Sequence, residues 1–253
     1  SLVGSEMCIR DRKRRWESIL QQIDLQPEDT LYVLGDVIDR YPDGIQILRQ
    51  IMSMPNVKML IGNHELMMLK ALYYPVPEDD EFPEETMHRR LTQWYHNGGN
   101  VTHQYLKRIR KTTRAEIFRY LDKLPYNIEI EVNGKKYILT HAAVPDGSPH
   151  KYATDREYAV WHRYNHFPER KDRTVIFGHT TTVQYQNVEP ISILYREGWI
   201  GIDCGCSYPE GGAIFTGTVG RLACLRLDDM KEFYSEEPVL ETYMRYLSVM
   251  RSR

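Results

Sequence analysis

"VKMLIGNHELMMLKALYY", residues 57–74, reads as two elements joined by a polar junction. The first six residues form a short apolar run of strand length, and the stretch from His64 onward reads as a helix. Gly62 stops the apolar run and sets Asn63, His64 and Glu65 side by side. A strand can end in a polar turn for solvation alone. Amide, imidazole and carboxylate in a row, directly after a strand, are also the groups of metal sites and proton transfer.

The same order recurs outward from this stretch. "RRWESILQQI" (14–23) spaces Trp16, Ile19, Leu20 and Ile23 as one helix face, "TLYVLG" (30–35) is strand-like, and "DGIQILRQIMSM" (43–54) is helical again. That β-α-β-α alternation predicts parallel strands with covering helices. Residues 76–126 read as mostly helical, with "PVPEDDEFPEE" (75–85) as an exposed loop. "YNIEIEV" and "KKYILTHA", separated by Asn133–Gly134, predict a hairpin. "RTVIFGHT", "ISILYREGWIGIDCG" and "RLACLRLD" supply further strands, and the tail "VLETYMRYLSVMRSR" (239–253) reads as a helix. No repeat or interdomain linker interrupts the chain, so residues 13–253 are expected to form a single domain.

At 253 residues, with 42% hydrophobic, the chain can bury a sizeable core. The net charge of -2 gives no electrostatic case for a nucleic-acid partner. No apolar stretch approaches the ~20 residues that span a bilayer. Cys8, Cys204, Cys206 and Cys224 are too few for a disulfide scaffold and form no CxxC pair, so a reducing, cytoplasmic setting is expected. A monomer is expected as well. Cys204 and Cys206 read as core or lining residues rather than zinc ligands. "LVGSEMCIRDR" (2–12) has no helix or strand period and matches what a transposase sequencing adapter reads as in one frame. Residues 1–12 are therefore expected to be foreign, the native protein to begin near Lys13, and the missing segment to be a short edge of a sheet.

Ligands of α/β sheets gather beyond the carboxyl ends of strands. Here four strands end in metal-capable side chains: Asp36 after "LYVLG", Asn63 and His64 after "KMLIG", His141 after "KYILT" and His179 after "TVIFG". A carboxylate, an amide oxygen and two imidazoles form a mixed O/N set suited to Mn²⁺, Fe or Zn²⁺.

The sequence at this point resembles the calcineurin-like metallophosphoesterases, and within them the bacterial and phage branch of the PPP-type serine/threonine phosphatases. That family carries the blocks GDxHG, GDxxDRG and GNHE; the second stands here as "GDVIDRY" (35–41) and the third as "GNHE" (62–65). "THAAVP" (140–145), "FGHT" (177–180), "WYHNGGNVT" (94–102), "GID.G" (201–205) and "GRLACLRLD" (220–228) also match, so the resemblance spans 13 to about 229. It implies a four-layer αββα sandwich of two mixed β-sheets flanked by helices, and a metal-dependent phosphoesterase with two divalent ions, Mn²⁺ foremost. Asp36 would bridge the metals, with Asn63, His141 and His179 completing the second one's shell. A hydroxide held between the ions would attack phosphorus. His64 would be the general acid, Asp39 would orient it, and Arg40 and Arg163 would bind phosphate oxygens, with Arg156, Arg170 and Arg173 as rivals to Arg163. Glu65 would cap or brace the helix that follows.

Two positions depart from the family pattern. Tyr41 replaces the Gly after "DR". GDxHG, whose Asp and His supply most of the first metal's ligands, is absent, and "CIRDR" stands near its place. Arginine cannot substitute for the missing His, since it stays protonated. One bound metal and impaired activity are therefore expected of this chain. The resemblance implies a phosphoprotein or a small phosphate ester as substrate, with a dinucleoside polyphosphate as the alternative and a non-catalytic metal- or phosphate-binding module as the alternative of another class. "KRIRKTTR" (107–114) reads as a solvated helix face, "EGGAIFTGTVGR" (210–221) as a loop or hairpin, and "WIGIDCG" as a lining of the substrate groove. His88, His96, His103, His150, His162 and His166 have no motif context.

Overall fold

The alternation in "LYVLG" becomes a strand, Leu31–Val33, whose two faces serve two cores: Leu31 and Val33 pack with helices, Tyr32 and the following Leu34 with a second sheet. The computed structural model describes residues 1–4, 12–147, 150–188, 190–206 and 220–235. In chain order the described elements are β1 (Leu2–Gly4), α1 (Arg12–Ile23), β2 (Leu31–Val33), α2 (Gly44–Ser53), β3 (Val57–Met59), α3 (Asn63–Leu72), α4 (Pro83–His96), α5 (Gly99–Arg108), α6 (Lys111–Asp122), β4 (Asn127–Val132), β5 (Lys135–Thr140), α7 (Asp155–Trp161), β6 (Thr174–Phe177), β7 (Leu194–Arg196), β8 (Trp199–Gly201), β9 (Ala223–Arg226) and β10 (Lys231–Tyr234).

They form two five-stranded sheets, ordered β10-β9-β1-β2-β3 and β4-β5-β6-β8-β7, both mixed, with helices flanking them. The expected αββα architecture is the observed one. Between the sheets lie Tyr32, Leu34 and Leu60 from the first and Leu139, Ile176 and Ile200 from the second. Trp16, Ile19, Leu48, Leu66 and Leu69 of the helices cover the outer side of the first sheet. An aromatic cluster of Phe177, Trp199, Tyr164 and Phe167 packs on the outer side of the second. The hairpin turns where expected: Asn133 and Gly134 both have positive φ, 51° and 75°, the backbone of a type I′ turn.

Several expectations need correction. Residues 2–4 do not lie outside the fold, and they are not a sheet edge. β1 is the middle strand of its sheet, parallel to β2 and antiparallel to β9. Leu2 enters the helix-side core and Val3 the inter-sheet core. Three residues are too few to display a strand period, yet two of them are apolar and alternate, which suffices once neighbours supply both ladders. α7 and β10 had no sequence signal strong enough to predict them. "KRIRKTTR" is a break between α5 and α6, not one helix face. The expected tail helix and most of the Gly-rich 210–221 stretch lie outside the described residues. Among the described residues, no helix is long and apolar enough to cross a membrane.

Candidate active site

Each strand-end residue arrives at the same place. Asp36 leaves β2 after Gly35, Asn63 is the first residue of α3, His141 follows β5, and His179 follows β6. One ligand atom from each of Asp36, His141 and His179 lies within 4.8 Å of the others. Asn63 Oδ1 is 3.0 Å and Asp36 Oδ2 3.6 Å from His141 Nε2. His141 Nδ1 sits 2.6 Å from the Leu34 carbonyl, which can accept only an N–H. That fixes the tautomer and leaves Nε2 with a lone pair aimed at Asp36 and Asn63. Burial holds His141 below the usual imidazole range, and burial with His141 and Arg163 holds His179 well below it. Both rings are therefore neutral, as ligation requires. Burial opposes ionisation of Asp36, but His141, His64, His179 and the His64 backbone N–H bring its carboxyl down to about 2. Charged carboxylate, amide oxygen and two neutral imidazoles fit a divalent first-row cation.

Glu65 is the support beneath this group. Fully buried, it accepts N–H groups from Gly62 (3.0 Å), Asp36 (2.8 Å), Val37 (2.8 Å) and Ile38 (3.3 Å). The expected helix brace is thus also a clamp on the 36–38 turn. Burial and the nearby Asp36 charge push its carboxyl up, to about 7, against the pull of those N–H groups. Gly62 is required here because a Cβ would sit 2.2 Å from Asp36 Oδ1.

A second constellation adjoins the first. His64 Nδ1 is 2.9 Å from Asp39 Oδ2, and Arg40 Nη2 is 3.2 Å from His64 Nε2. Burial lowers the imidazole's proton affinity, but the Asp36 charge and the Asp39 hydrogen bond and charge outweigh it and raise His64 above its ordinary value. Asp39 and Arg40 both have positive φ, 72° and 63°. "WYHNGGNVT" holds them there. Trp94 Nε1 donates to Asp39 Oδ2 (2.7 Å), Thr102 Oγ1 accepts from Asp39 N (2.9 Å), and Gly98 O accepts from Arg40 N (2.9 Å). Gly98 itself has φ 93°, and a Cβ there would meet Arg40 Cγ at 2.6 Å.

The calcineurin-like phosphoesterase family model matches residues 8–183. The chain belongs to the calcineurin-like phosphoesterases. It is 31% identical over 170 residues to serine/threonine-protein phosphatase 2 of Salmonella typhimurium, covering 63% of this chain and 71% of that protein. It is 34% identical over 100 residues to a symmetrical bis(5'-nucleosyl)-tetraphosphatase of Acidovorax sp., covering 33% and 36%. Among solved structures, a candidate diadenosine tetraphosphatase overlays with a TM-score of 0.57 at 16% identity, over 94% of each chain, a likeness of fold. The sequence-level resemblance to this family is borne out, and with it a metal-dependent hydrolase.

Arg163 donates through Nη1 to Thr180 Oγ1 (3.1 Å) and the His179 carbonyl (3.3 Å), beside the Asp36–His141–His179 cluster. Its rivals are engaged elsewhere: Arg156 with Tyr74 and Asp122, Arg170 over Trp199, Arg173 with Asp172. His162 stacks on Tyr158 at 4.5 Å and stays outside the centre. Cys204, Cys206 and Cys224 are free and buried, and Cys204 and Cys206 pack in the two main cores. One residue went unnamed in the sequence. Asp203, just past β8, is buried and accepts Gly205 N (2.9 Å). Burial, with Asp36's charge nearby, pushes its carboxyl up to about 6, with Arg40 and Arg163 pulling the other way. Its signal was the same as for the others, a polar residue directly after an apolar strand.

Proposed function

We propose that this chain hydrolyses phosphate monoesters in the manner of a serine/threonine protein phosphatase. The observation that carries the reading is the juxtaposition of the Asp36–Asn63–His141–His179 donor set with the His64–Asp39 pair and two arginines. Asp36, Asn63, His141 and His179 would hold the metal, and Mn²⁺ fits the mixed donors. Bound divalent cations supply a nucleophilic water near neutral pH and neutralise charge on the phosphoryl oxygens. Arg40 and Arg163 bind those oxygens through their planar forks. Arg40 now donates to His64 Nε2; a phosphate that takes over the guanidinium frees that nitrogen to carry a proton to the leaving oxygen. Asp39, itself held by Trp94, keeps His64 turned the right way.

Among the described residues one cluster of three or more His, Cys, Asp or Glu could hold an ion, and one bound divalent ion with slow turnover is the reading proposed for this chain. The likeness to the Acidovorax enzyme supports a second substrate reading, symmetrical cleavage of dinucleoside polyphosphates. Side-by-side Mn²⁺-dependent turnover of a phosphoserine peptide, p-nitrophenyl phosphate and diadenosine tetraphosphate tests both. No turnover of any of them, even with a GDxHG segment in place of residues 1–12, would sink the enzymatic reading.

A further inference from the structure

A cleft of about 330 Å³ lies against the metal centre, between α3, α4 and α7. Trp161 is their shared wall: it lines the cleft and meets the His179 ring edge-on, centroids 5.9 Å apart. The floor continues the same face of α3, because Asn63, Met67 and Lys70 follow the i, i+4, i+7 spacing of one helix side. Three cations and one carboxylate line it: Lys70, Arg90, Lys151 and Glu157. Lys70 pairs with Glu157, which leaves Arg90 and Lys151 without an acidic partner in the lining. Arg90 is fixed in advance. Its Nη1 donates to the Lys70, Tyr74 and Pro75 carbonyls, each at 3.2 Å, so half of its fork is anchored and half remains for a ligand.

We propose that this cleft is a substrate subsite for an acidic side chain of a phosphopeptide, about three residues from the phosphorylated one. The proposal rests on the protein-phosphatase reading above. Seven residues of helix at ~1.5 Å each carry the α3 face roughly 10 Å from Asn63 to Lys70. An extended peptide covers that span in about three residues at ~3.3 Å each. The cleft offers charge more than a stacking platform, since the Lys151 ammonium sits over the Tyr152 ring, 5.6 Å from its centroid. A carboxylate matches Arg90 and Lys151, and its methylene stem matches Leu66, Met67 and Trp161.

The test is fluorescence anisotropy of labelled phosphoserine peptides binding the full chain with Mn²⁺. A single Glu is moved through positions two to four on either side, with an all-Ala peptide as reference. Glu at one of these positions is expected to tighten binding about 2- to 5-fold, the range of an exposed ion pair, and the gain should shrink at 0.5 M salt. In Lys151→Gln the Glu-to-Ala affinity ratio should fall toward one; Arg90→Lys, which keeps the charge and not the fork, should lower it less. A flat Glu scan with phosphopeptide binding intact overturns the subsite alone. Binding of inorganic phosphate but of no phosphopeptide overturns the reading on which it rests. Loss of diadenosine tetraphosphate affinity in Lys151→Gln, with the peptide ratio unchanged, reassigns the cleft to a nucleotide and overturns the peptide proposal.

Discussion

Glu65→Ala should destabilise this protein more than most single substitutions. Glu65 is fully buried and is the acceptor for four backbone N–H groups, those of Gly62, Asp36, Val37 and Ile38. Alanine accepts none of them. The space vacated is polar and holds one or two waters, which satisfy part of the set. An unsatisfied buried N–H costs roughly 1–3 kcal/mol, so with one or two left unpaired and packing lost, the total is about 3–5 kcal/mol. At ~2–4 °C per kcal/mol for a chain of this size, Tm should fall by about 6–20 °C. Urea unfolding followed by far-UV circular dichroism measures it, with exposed Glu85→Ala as the control for loss of one negative charge, expected within ~0.5 kcal/mol. Metal affinity should fall too, because the clamp sets the Asp36 backbone. A loss below ~1 kcal/mol with unchanged metal affinity would refute the argument. It would mean that the His64 N–H to Asp36 Oδ1 bond holds the turn by itself.

The remaining expectations concern chemistry. His64→Asn should leave metal content unchanged and cut turnover of a poor leaving group by roughly 10²-fold, and much less with p-nitrophenyl phosphate; steady-state kinetics on both esters checks this. Because His64 is raised above its ordinary value, the protonated form needed by the leaving group persists past pH ~6.5 and is lost as pH rises further; Asp39→Asn removes part of what raises it, so the alkaline limb of the kcat/KM profile should move to lower pH. Metal analysis of the chain should find one divalent ion, abolished in His141→Ala, and two when residues 1–12 are replaced by a segment ending in Gly-Asp-Ile-His-Gly.

How much of this was legible depends on where the information sits. Strand-end chemistry was local: Asp36, Asn63, His141 and His179 each follow an apolar run directly, and the topology delivers all four to one place. The Asn133–Gly134 hairpin was equally local. β1 was not legible, because three residues carry no period and its place depends on β2 and β9, far away in sequence. α7 is seven residues long and owes its seat to backbone contacts, Ala142 and Ala143 N–H to the Ala159 carbonyl. Asp203 carried the same strand-end signal as the ligands, but its meaning depends on neighbours that only the fold supplies. The "WYHNGGNVT" stretch could be matched as a pattern; that its Trp, Gly and Thr hold Asp39 and Arg40 could not be read from spacing.

The backbone at the site shows why those tethers exist. Among the described residues seven non-glycine residues have positive φ, and four of them are Asp36, Asp39, Arg40 and His179. Left-handed backbone at a non-glycine residue costs on the order of 1–3 kcal/mol, so unaided these residues would relax. Each has a specific restraint from elsewhere: Glu65 on the Asp36 N–H, Thr102 on that of Asp39, Gly98 on that of Arg40, and Arg163 on the His179 carbonyl. The strain is useful because a residue in this conformation turns its side chain out of the line of the strand before it. Asp36 and His179 can then point into one small volume although β2 and β6 belong to different sheets. The geometry of the candidate metal site is therefore a property of Glu65, Gly98, Thr102 and Arg163 as much as of its candidate ligands, and a chain with the same candidate ligands but without these restraints would not assemble it.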